Sequence, residues 1–82
     1  MQRITLKSAI ETLQSRPDTP AMIVTRPRGY AVCIAGDIIR SQRENELTFL
    51  TYDGAINYVR RHLAPQLGRP LPIVIAPAPD EH

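Results

Sequence analysis

The sequence predicts a small single α+β domain. Its expected form is a three- to four-stranded, mainly antiparallel sheet packed against two helices, in the order α-β-β-(β)-β-α-β. Three observations point there. Residues 6–13 and 52–63 each repeat apolar side chains at helical spacing. Between them, "AMIVTRPRGYAVCIAG" reads as two strands around a tight turn. At 82 residues and 43% apolar composition, the chain suffices for one modest core.

The elements follow in order. Leu6, Ala9, Ile10 and Leu13 fall at i, i+3, i+4 and i+7, one face of a helix spanning about residues 6–15. Thr5 stands where an N-cap belongs, and Pro17 pushes the residue before it out of helical space. In the hairpin, Ile23 and Thr25 share one side, and Met22 and Val24 the other. Across the turn Tyr30, Val32 and Ile34 oppose Ala31, Cys33 and Ala35, so both faces are apolar and the pair is expected to be central or covered twice. "RPRG" predicts a type I turn closing into a hairpin, with Gly29 taking the left-handed position. Gly36-Asp37 reads as a turn or bulge, with Ile38-Ile39 continuing the sheet and "SQRENE" as a mobile loop, the alternative being a short helix capped by Asp37.

"LTFLT" is a short strand. Thr51 then caps a helix in which Tyr52, Ala55, Ile56, Val59 and Leu63 line one side. Asp53 in its first turn and Arg60, Arg61 and His62 in its last suit the helix dipole. Pro65 and Gly68 are expected to end it. "LPIVIA" is a last strand, at an edge because Pro72 lacks an N–H. The domain is expected to span residues 1–79, with 80–82 as a disordered tail. Leu6, Ile10, Leu13, Ile23, Val32, Ile34, Phe49, Ile56, Val59 and Leu63 should form the core.

Composition narrows the function classes. The one cysteine, Cys33, allows no internal disulfide and no metal-ligand set, and as a mid-strand residue it predicts a small packed hydrophobe. No signal-peptide pattern and no membrane span are evident, so a cytoplasmic bacterial protein is expected. With two histidines, scattered carboxylates and no nucleotide, zinc or nucleophile motif, the sequence predicts neither an enzyme nor a cofactor.

Charge is the remaining lead. Before residue 80 there are ten basic and six acidic side chains, a net of +4, and nine of the ten are arginine. Arginine recognises phosphate and carboxylate in a bidentate fashion, although codon usage in a GC-rich genome enriches it too. Arg26 and Arg28 at the turn, Arg40 and Arg43 in the loop, and Arg60 and Arg61 on the helix could line one face. Two kinds of partner suit such a face, DNA held through its phosphates or an acidic protein surface. A homodimer is compatible with both. A homodimeric assembly or inhibitor module without nucleic-acid contact is a third reading.

The run 22–63, with "MIVTRPRGY.V" followed by "F.T.D.A..Y.R", resembles small partition-associated accessory proteins of bacterial plasmids and integrative elements. It is also similar to the three-strand-plus-helix arm-binding domains of phage and transposon integrases. The resemblance implies a non-catalytic accessory protein of a mobile element or phage. It also implies that Arg26, Arg28 and Tyr30 on the hairpin contact the partner.

Overall fold

The computed structural model of the chain describes residues 2–41 and 45–76. The expected tail at 80–82 and Arg43 lie outside the described residues. The elements are β1 (Arg3–Ile4), α1 (Leu6–Ser15), β2 (Ala21–Arg26), β3 (Gly29–Ile34), β4 (Asp37–Ile39) and β5 (Thr48–Phe49), followed by α2 (Tyr52–Tyr58), a π-helical turn (Val59–Leu63), α3 (Ala64–Leu67) and β6 (Ile73–Ile75). This is an α+β domain in two layers, with a mixed sheet in the order β1-β4-β3-β2-β6. β5 pairs with β3 off this path. The β2–β3 hairpin occupies the middle of the sheet, as the two-faced apolar pattern requires. The antiparallel pairs are β2–β3, β3–β4 and β3–β5, whereas β1–β4 and β2–β6 run parallel. β1 is the strand that periodicity does not indicate.

α1 forms where the apolar spacing placed it. The Thr5 hydroxyl accepts from the Ser8 N–H at 3.0 Å, which satisfies one of the unpaired amides of the first turn. Thr51 caps α2 in the same way, accepting from Gly54 N–H at 3.1 Å. Ala9 and Leu13 of α1, Ala55 of α2, and Val59 and Leu63 of the π turn bury against Ala21, Ile23, Val32, Ile34 and Ile39. Both helical segments therefore lie on one side of the sheet. Of the expected core, Leu13, Ile23, Val32, Ile34, Val59 and Leu63 are fully buried. Leu6, Ile10, Phe49 and Ile56 pack against that cluster half-buried.

The helix does not end at Pro65. It runs on to Leu67, and Gly68 closes it in the left-handed conformation at φ 67°, its N–H reaching the Ala64 and Pro65 carbonyls. A proline inside an α-helix loses one hydrogen bond and pushes its ring against the carbonyl four residues back. The chain answers with a wider turn, in which the Ala64 N–H bonds to the Val59 carbonyl five residues earlier.

The turn between β3 and β4 is one residue earlier than Gly36-Asp37. Ala35 (φ 51°) and Gly36 (φ 89°) form the two-residue loop, and Asp37 pairs with Ile34 inside the sheet. Two successive positive φ angles fit a type I′ hairpin loop, whose first position favours asparagine. Holding alanine there costs about 1 kcal/mol. Ala35→Asn is therefore expected to raise the unfolding free energy by about 0.5–1 kcal/mol in urea titration. A loss of stability instead would contradict this turn geometry.

Residues 45–47 are tied down rather than loop-like. Arg40 and Glu46 form a β-bridge, Ser41 N–H bonds to Asn45 O at 2.7 Å, and Leu47 N–H bonds to Ile39 O at 3.1 Å. No helix among the described residues is long and apolar enough to cross a membrane.

Candidate functional site

Strand register fixes what the sheet presents on the side away from the helices. Paired residues share a face. The pairs Val74–Met22–Cys33–Ile38–Arg3 therefore form one row across β6, β2, β3, β4 and β1. The row above it runs Val24–Ala31–Thr48 across β2, β3 and β5, and Arg26 stands beyond Val24 at the hairpin tip. Ala31, Cys33 and Ile38 are buried in this face, Met22 and Val24 are half-buried, and Val74 is 43% exposed. The Cys33 thiol is displaced above its ordinary pKa, first by burial and further by the charge of Asp37, against a backbone hydrogen bond at Gly36 that pulls it down. It is a packed hydrophobe, as its mid-strand position suggested, and a protonated thiol is a poor nucleophile.

At the hairpin end of this face the chain builds a groove of about 400 Å³. Arg3, Arg26, Pro27, Arg28, Asn45, Glu46 and Thr48 line it. Arg26 makes a bidentate pair with Glu46, Nε to Oε2 at 3.1 Å and Nη2 to Oε1 at 2.6 Å. At 33% and 20% side-chain exposure, solvent screens this pair, so it adds at most about 1 kcal/mol. Its larger effect is positional, because it fastens the tip of β2 to the segment leading into β5. Among the described residues three guanidiniums face one carboxylate, a positive balance. Arg28 is exposed at the turn and Arg3 on β1.

The remaining candidates lie elsewhere. Tyr30 is on the helix side, half-buried, its ring 4.0 Å from that of Tyr52. Arg40 follows β4 and lines a separate cleft with Leu6 and His62. Arg60 and Arg61 are exposed on the π turn, whose inward residues are Val59 and Leu63. They lie on the outer surface of the helical layer, across the domain from Arg26. The structure therefore brings Arg26 and Arg28 together with Arg3, and does not join them to Tyr30, Arg60 or Arg61 in one face.

Arg3 and Glu46 are the site residues that sequence reading passes over. Arg3 joins only because β1 pairs with β4, and a two-residue strand has no periodicity to read. Glu46 is 20 positions from Arg26, and only the corner between β4 and β5 brings them together. No protein-family model matches the chain, and no curated protein or solved structure matches it either.

Proposed function

We propose that this chain is a non-catalytic accessory protein that docks an acidic protein segment at the hairpin end of its sheet, on the side away from the helices. The carrying observation is the groove with Arg3, Arg26 and Arg28, which stands on the same side of the sheet as the half-buried Met22 and Val24. A partner with apolar residues over Met22 and Val24, and carboxylates toward Arg28 and Arg3, would match both chemistries of the face. DNA binding has less support. The exposed arginines are divided between two sides of the domain, Arg26 is already matched by Glu46, and the centre of the face is apolar.

The test places a photo-crosslinking side chain at Asn45, on the groove, or at Asn57, on the outer surface of α2. Both positions are exposed. Irradiation in extract is expected to give a discrete adduct from position 45 alone, lost when Arg3 and Arg28 are both changed to Glu. Equal adducts from both positions, or none, would refute the face. A labelled DNA duplex binding tightly at low salt, with a steep loss of affinity as salt rises, would move the reading to nucleic acid.

A further inference from the structure

The groove at the hairpin tip offers more positive charge than one carboxylate can match. Of its three guanidiniums, that of Arg26 is paired with Glu46. Arg3 and Arg28 are exposed, and among the described residues neither guanidinium is hydrogen-bonded or ion-paired. Two positive charges are thus unmatched among the described residues. Arg26 is not used up by its pair. Its Nε and Nη2 donate to Glu46, which leaves Nη1 to donate elsewhere. Thr48 adds a hydroxyl and Asn45 a side-chain amide to the same lining.

Charge and donor geometry separate the acidic groups that a partner could bring. A carboxylate carries one charge and two oxygens, which a single guanidinium satisfies in a bidentate pair, as Arg26 does for Glu46. A phosphate monoester carries nearly two charges and three terminal oxygens in a tetrahedral array. Arg3, Arg28 and the free nitrogen of Arg26 can approach such a group from separate directions. A phosphodiester, as in nucleic acid, brings one charge and leaves one guanidinium unmatched.

We propose that the acidic segment docked at the hairpin end is phosphorylated, and that the groove holds its phosphoserine or phosphothreonine between Arg3 and Arg28; this rests on that docking.

The experiment is an NMR titration of the ¹⁵N-labelled chain with the acetylated and amidated peptide Gly-phosphoserine-Gly, at about pH 7.5, where the monoester is close to doubly charged. The same peptide with aspartate in place of phosphoserine, and dimethyl phosphate, are the comparisons. The phosphopeptide should give saturable shifts at the amides of Arg3, Arg28, Asn45 and Thr48, with Arg60 and Arg61 unmoved. Both comparison ligands should bind at least about tenfold more weakly, as should the phosphopeptide to Arg3→Gln and Arg28→Gln variants. Arg3 and Arg28 are exposed, so these variants should keep the spectrum of the folded domain away from the groove. No saturable shift at the groove with the phosphopeptide would overturn the phosphate site, as would a smaller gap to the aspartate peptide. Either result leaves docking itself to the adduct from position 45, which is read without reference to phosphate. A smaller gap to dimethyl phosphate would overturn the site in favour of a nucleic-acid or lipid diester.

Discussion

Gly29→Ala is expected to cost about 3 kcal/mol or more of unfolding free energy, seen as a fall of more than about 12 °C in the thermal midpoint. Two causes act at one position. Gly29 has φ 137°, a conformation that side chains with a Cβ rarely adopt. A Cβ built there would also meet the carbonyl oxygen of Phe49 well inside contact distance. That obstacle is backbone, held by the Tyr30–Phe49 pairing of β3 with β5, so it cannot swing aside as a side-chain tip would. Relief requires β5 to leave β3 or the hairpin to open at Arg26–Gly29, its last pair. A domain of this size holds on the order of 5 kcal/mol in all, so the variant should sit near the edge of folding. A loss below about 1 kcal/mol would mean that the strand after the loop does not approach the tip this closely.

The second large effect comes from truncating one of two leucines. Leu63→Ala is expected to destabilise the domain by about 2–5 kcal/mol, and Leu50→Ala by less than about 0.5 kcal/mol. Leu63 is fully buried at the end of the π turn, within the cluster of Leu13, Val59, Ile23 and Ile34. Removing its branched end opens a void that fixed strands cannot refill. Leu50 is 90% exposed between β5 and α2, so the same truncation leaves its contacts almost unchanged. Chemical denaturation of both variants checks the pair. Similar losses would show that the π turn does not point Leu63 into the core as described.

How much of this was legible depends on the range over which each feature is decided. α1 was readable because its apolar spacing, Thr5 and Pro17 all act within one or two turns. The β2–β3 hairpin was readable for the same reason, since Pro27 and Gly29 restrict the backbone at the turn itself. Pro65 misled, because a proline ordinarily stops a helix. Here the turn could widen while Val59 and Leu63 kept their buried places, and continuing the helix retained packing that stopping would have lost. Ala9 and Ala55 stand on the apolar helix faces, yet alanine is too small for a pattern to mark them, or Ala21, as core. All three are fully buried, and their small side chains let helix and strand backbones approach.

The candidate site was legible only as a list of arginines. Which of them share a face is decided by sheet order. Arg26 and Tyr30 belong to one hairpin yet face opposite sides, since Tyr30 pairs with Thr25 and not with Arg26. Arg3 enters through a parallel pairing with β4, a contact that no local pattern encodes.

The two ends of the sheet bear on open-ended polymerisation. A strand edge recruits further chains in proportion to the length of ladder it offers, and long flat edges seed fibrils. β1 offers two residues and β6 three. Ile73–Ile75 has the β-branched, uncharged composition of a fibril-forming segment, with Val74 and Ile75 about half exposed. Yet Pro72 stands directly before it and has no N–H to donate, and Pro77 follows two residues after its end in the sequence. An arriving strand would find three residues to pair with and no straight continuation on the side of Pro72. Pro72 thus helps to keep this edge a ladder of three residues, short for a template.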